Sequence, residues 1–144
     1  MYDLERFLDS QNWQDKYLNA LSEIKVGKKK THWMWFVFPQ LVGLGSSPES
    51  FNYAIKSKQE AIDYLNHPIL GPRLIEITTE LLKIENSEIQ DVFGYVDSLK
   101  LKSSMTLFHL VSDNSNSVFI GVINKFYHGN KDARTLEIWQ SFVF

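Results

Sequence analysis

The sequence predicts an all-α fold, a single compact domain of about eight short helices over residues 1–144. Helix-capping signals recur at short intervals along the chain. The segment from Leu70 to Ile84 repeats apolar residues at helical spacing. Seven Gly and four Pro in 144 residues are too few to turn a many-stranded sandwich. A chain of this length holds one core, and 44% hydrophobic residues with 14% aromatics supply the material for it.

Taken in order, Asp3 is placed to cap a helix through Phe7 and Ser10. Asn12 is placed to cap a second, in which Tyr17, Leu21 and Ile24 repeat at four and three before Gly27 ends it; the two can form one bent helix. The aromatic run His32 to Phe38 has the composition of a strand, yet a lone strand would bury unpaired backbone groups. Helix is therefore the expected state, with Thr31 as its cap and Pro39 as its end. Ser47 before Pro48 opens another helix, and Ser57 with Glu60 is a capping box opening KQEAIDYLN. His67 before Pro68 is expected to stabilise a turn. After it, Leu70, Leu74, Ile77, Leu81 and Ile84 share one stripe, widened by Ile75 and Leu82. Ser87 with Gln90 reads as a further capping box, Gly94 as the residue past a helix end, and Asp97 as the next cap. Ser112 to Ser117 reads as a surface loop, and Asp132 caps a last helix ending near Trp139.

Composition excludes several function classes. Fifteen basic and seventeen acidic residues, a net charge of -2, leave no electrostatic footprint for general nucleic-acid binding. The absence of cysteine excludes a disulfide scaffold, a thiol nucleophile, an iron–sulfur cluster and cysteine-ligated zinc. No apolar run approaches the length of a membrane span, and the start MYDLERFLDSQ has no signal pattern, so no membrane association and a cytoplasmic, soluble protein are expected. Apart from His32, the remaining histidines at 67, 109 and 128 are widely separated, so no metal site is expected; no cofactor is expected either. The pattern leaves oligomeric state open.

Four features could carry chemistry. Lys28, Lys29 and Lys30 precede Thr31, where they would repel a helix start unless an anion lies between; a solvated loop is the bland alternative. His32, Trp33 and Trp35 bring a titratable ring and two indoles into four positions, suited to stacking on a base or gripping a sugar, while Phe36 and Phe38 belong to the core. Gln40 then leads into the Gly43 to Ser47 loop, whose backbone N–H groups could face an anion. On the helix of DSLKLKSSMTLF, Leu101, Met105 and Phe108 share a stripe with Ser104. Asp97 and Lys100 extend that face, so Asp97, Lys100 and Ser104 could line the mouth of a pocket. No strained elbow surrounds Ser103 or Ser104, which argues against serine-hydrolase chemistry.

The segments HWMWFVFPQLVGLG, YAIKSKQEAIDYLNHPILGPRL and DSLKLKSSMTLF, flanked by DLERFLDSQ and KFYHGNKDARTL, resemble the family called domain of unknown function 1810. That resemblance runs almost end to end and implies a compact all-α fold with no agreed activity. A shorter similarity is to the YbiA-like N-glycosidases, which act on ADP-ribose-type nucleotides. It rests on Tyr53 and Lys56, Ala61, Leu70 with Gly71 and Arg73, Met105, and Lys125 with Phe126. The late acidic residue of such chains has only Asp132 or Glu137 as loose counterparts here.

Together these features suggest a small-molecule ligand of the nucleotide or ADP-ribose type, bound by His32, Trp33, Trp35, Gln40, Tyr53, Asp97, Lys100 and Ser104. One alternative is an N-glycoside hydrolase in which Asp97 is the catalytic carboxylate that activates water or steadies a sugar cation. The other is a protein-interaction module with the aromatics as its hot spot.

Overall fold

The computed structural model describes residues 3–112 and 116–142. Among them are ten α-helices and no strand, the all-α architecture that capping and periodicity predict. The order is α1 (Glu5–Asn12), α2 (Lys16–Val26), α3 (Met34–Val37), α4 (Pro48–Asn52), α5 (Lys58–Asn66), α6 (Leu70–Leu82), α7 (Ile89–Phe93), α8 (Tyr95–Ser112), α9 (Val118–Tyr127) and α10 (Ala133–Ser141). None of the described helices is long and apolar enough to cross a membrane.

Helix α8 is the axis of the fold, packing against α5, α7, α9 and α10. From Ser103 to Phe108 every residue is buried, so the stripe that Leu101, Met105 and Phe108 share with Ser104 is part of a helix enclosed on all sides. Its buried hydroxyls are met within the helix, Ser103 donating to the Leu99 carbonyl at 3.2 Å and Thr106 to that of Lys102 at 2.8 Å, whereas Ser104 Oγ has no partner. On α6 the stripe Leu70, Leu74, Ile77 and Leu81 is buried as its spacing predicts, but Ile75 faces solvent. Gly71 lets α6 approach α5 closely, since a Cβ there would lie 2.0 Å from the Leu65 carbonyl oxygen.

Local capping chemistry holds where no tertiary partner competes. Ser47, Ser57 and Asp132 accept from the N–H groups of Ser50, Glu60 and Thr135, as expected. His67 Nδ1 accepts from Ile69 and Leu70, steadying the turn into α6. At Thr31 and Asp97 another partner has taken the capping side chain, and at two further helix starts the cap lies elsewhere. Thr31 is not a cap: its N–H and hydroxyl go to Glu23, and α3 is a single turn whose N-cap is Trp33. Asp97 lies inside the first turn of α8 and pairs with lysines. The cap of α7 is Glu88, whose N–H is taken by Asp91, in place of Ser87 with Gln90. Asn12 ends α1 rather than starting α2, and Gln14 and Asp15 then turn the chain in the left-handed region at φ 50° and 54°. Such a conformation costs an L residue roughly 1–2 kcal/mol. Of the loop expected from Ser112 to Ser117, residues 113–115 lie outside the described residues; Ser112 ends α8 and Ser117 caps α9.

After α3 the chain makes an excursion that carries α4 and returns at an isolated parallel bridge between Leu41 and Ile55. Ile55 donates to the Gln40 carbonyl at 2.8 Å and Val42 to that of Ile55 at 2.9 Å. Arg6 of α1 locks the returning strand of chain. Its guanidinium donates to the carbonyls of Asn52 at 2.7 Å and Ala54 at 2.9 Å, and to that of Asp3. It also pairs at 2.9 Å with Glu60, which is fully buried and accepts the Lys56 N–H through its other oxygen at 2.8 Å. The excursion is thereby held against α1 and α3.

Candidate functional site

The turn of α3 and the returning excursion enclose a cavity of about 510 Å³ against the start of α8. Among its lining residues are His32, Trp35, Phe36, Tyr53, Asp97 and Lys100. At its polar end Asp97 accepts from Lys29 at 3.0 Å and from Lys100 at 3.1 Å. Burial alone would raise the Asp97 carboxyl, but the hydrogen bonds and charges of the two ammonium groups outweigh it and hold the group below the usual carboxylate range. The Lys100 ammonium lies 4.1 Å from the centroid of the Trp35 ring, so the cation is backed by an aromatic face. Phe36 and Tyr53, ring centroids 5.5 Å apart, line the same cavity as a pair.

Of the residues expected to share a site, His32, Trp33, Trp35, Tyr53, Asp97 and Lys100 meet at this cavity. Gln40 and Ser104 do not: both are buried, and among the described residues Gln40 Nε2 and Ser104 Oγ have no hydrogen-bond partner. Trp33 touches the cavity but belongs to the core. It is 1% exposed, packs on Phe38 and Phe93, and donates from Nε1 to Glu23 at 3.0 Å. Phe36, expected in the core, is only half-buried and lines the wall. Glu49 and Asn52 were not expected; they reach the cavity because the bridge at Leu41 returns α4 to it, a contact without a local sequence signal.

Of the two readings of Lys28, Lys29 and Lys30, an anion at this turn or a solvated loop, the structure shows an anion that the chain itself supplies. It is the Glu23 carboxylate, which accepts from the N–H groups of Lys30 at 2.6 Å and Thr31 at 3.0 Å, from the Thr31 hydroxyl at 2.5 Å and from Trp33. Burial pushes the Glu23 carboxyl upward, but these donors prevail and hold it at about 2. A carboxyl lowered from 4.5 contributes stability that is complete above its unfolded value and is lost as the pH falls through its folded value. The stability gap between wild type and Glu23→Gln, measured by urea unfolding, is therefore expected to be constant above about pH 5.5 and to close between about 4.5 and 2. A gap that does not change with pH would show that the carboxylate charge contributes nothing.

A second recess of about 430 Å³ adjoins the first and shares His32, Phe36 and Tyr53 with it, so the two form one groove. Asp9, Ser10, Trp13 and Lys16 complete the recess. Ser10 Oγ and the Tyr53 hydroxyl are 2.7 Å apart. Trp13 was legible as an oddity, an indole in the polar stretch SQNWQD. No group of three or more His, Asp or Glu among the described residues is placed to hold a metal ion. Of the other residues singled out by the YbiA-like similarity, Ala61, Leu70, Gly71 and Met105 are buried in the interior. Arg73 braces Gln11 and Tyr17, and Lys125 binds the Leu82 carbonyl.

Comparison with known proteins gives one family and one solved structure. The family described as "Protein of unknown function (DUF1810)" matches residues 1–139. The crystal structure of the conserved hypothetical protein Rv1873 from Mycobacterium tuberculosis is similar at 45% identity and a TM-score of 0.92, over 96% of this chain and 97% of that one. A search of curated proteins finds no match.

Proposed function

This chain belongs to the family of proteins of unknown function DUF1810, and from that premise we propose that it is a small-ligand binding protein whose groove takes a nucleotide or ADP-ribose-type molecule. The observation that carries this reading is the Lys29–Asp97–Lys100 array set beside an aromatic wall. Two ammonium groups on one carboxylate leave a net positive charge. Asp97 takes only one of the three donors of Lys100, so the others can meet a phosphate. Trp35, Phe36 and Tyr53 supply faces against which a base or ribose packs. These aromatics line a concave groove, which suits a small molecule better than the flat surface of a partner protein.

The hydrolase alternative needs a carboxylate that accepts a proton from water. Asp97, stabilised as an anion by two ammonium groups, is poorly disposed to do so and better arranged to orient the lysines.

The test is thermal shift and calorimetry with ADP-ribose, AMP and ribose 5-phosphate. A ligand of the native state raises the melting temperature by mass action. Lys100→Ala is expected to weaken binding about tenfold or more, while changing the unligated stability by about 1 kcal/mol or less, because Lys29 still pairs with Asp97. Absence of binding by all three compounds at millimolar concentration, or binding unaltered by Lys100→Ala, would refute the proposal.

A further inference from the structure

The two recesses of the groove differ in chemistry. The larger holds the lysines and Asp97. The smaller holds an indole, a carboxylate and a hydroxyl pair. Trp13 is 62% exposed, on a segment where two successive residues without glycine's freedom are left-handed. The Asp9 carboxylate lines the same recess and is exposed. The Lys16 ammonium lies 5.6 Å from the Trp13 ring centroid, so a donor stands in the same recess as the Asp9 acceptor.

We infer that the groove is bipartite, with the Trp13 recess receiving an aromatic base that bears an exocyclic amino group and the Lys100 end receiving the phosphate. This rests on the nucleotide reading above and assigns each end of the ligand. An adenine edge presents an amino donor next to a ring-nitrogen acceptor, which complements the Asp9 acceptor and the Lys16 donor. Hypoxanthine places a carbonyl where adenine has its amino group, so its oxygen would face the Asp9 carboxylate. The Trp13 indole supplies the stacking surface, and the shared wall of His32, Phe36 and Tyr53 spans the distance between base and phosphate.

Calorimetry on the full chain with AMP, IMP and ribose 5-phosphate tests the assignment, using wild type, Trp13→Ala, Asp9→Asn and Lys100→Ala. Wild type is expected to bind AMP about tenfold more tightly than IMP. Trp13→Ala should weaken AMP about tenfold and leave ribose 5-phosphate unchanged, the loss typical of one stacked base. Asp9→Asn should narrow the gap between AMP and IMP, because an amide can donate to the hypoxanthine carbonyl. Binding of AMP that falls in Lys100→Ala but not in Trp13→Ala, or equal affinity for AMP and IMP, would overturn the bipartite assignment and leave the nucleotide reading standing. If no compound shows Lys100-dependent binding, both fall together.

Discussion

Arg6→Ala is expected to destabilise the protein by about 3 to 5 kcal/mol, the cost of leaving a buried charge without its counterion. Glu60 has no exposed side-chain surface, and its ion pair is with Arg6. Removing the guanidinium leaves that carboxylate with the Lys56 N–H and also frees the carbonyls of Asp3, Asn52 and Ala54. Chemical denaturation gives the loss directly. A double-mutant cycle with Glu60→Gln separates the charge from the carbonyl bonds: the second substitution should recover part of the stability, since a neutral amide is less costly to bury than an unpaired anion. A loss below about 1 kcal/mol for Arg6→Ala would mean that water replaces the guanidinium and that the clamp is a surface contact.

Phe108→Ala is expected to cost about 3 to 5 kcal/mol by opening a cavity at the centre of the fold. Its fully buried ring lies 5.4 Å from that of Tyr64 on α5 and 5.9 Å from that of Phe119 on α9, so one side chain joins three helices. Because α8 is enclosed on every side there, no flexible surface group can swing in to fill the space. Urea unfolding measures the effect, and a substitution costing less than about 1 kcal/mol would contradict the central position of α8.

The fold was legible wherever helix-forming signals are local. The stripe through Leu74, Ile77 and Leu81, and the caps at Ser47, Ser57 and Asp132, need only neighbours within a turn or two, and all stand in the structure. Thr31 and Asp97 have the same capping chemistry, but the Glu23 carboxylate offers Thr31 a charge-assisted bond stronger than a neutral cap, and Lys29 and Lys100 supply full positive charges to Asp97. Periodicity on α8 misplaced Ser104 because a helix buried all round has no solvent face to define a stripe. Helix α9 went unassigned although Ser117 caps it and an apolar run follows. At the site, Trp35 and Lys100 stood out by their type and their neighbours. Glu49, Asn52 and Asp9 did not, since their meeting depends on the bridge at Leu41 and on the turn at Gln14 and Asp15, which no short pattern announces.

The excursion from Leu41 to Ile55 has a consequence for how relatives of this protein can diverge. Its two ends are joined by backbone bonds and its return is clamped by Arg6, while the turn between them is exposed at Gly43, Gly45 and Ser46 and supplies no lining residue. Lengthening a closed loop costs little chain entropy, about 0.6 kcal/mol for each doubling. A longer turn there would therefore cost little, provided that it keeps the close approaches of Gly45 to Ser50 and of Gly43 to Ile138 on α10. On the proposed reading of the groove, this segment is where its rim could change while the helical frame stays the same.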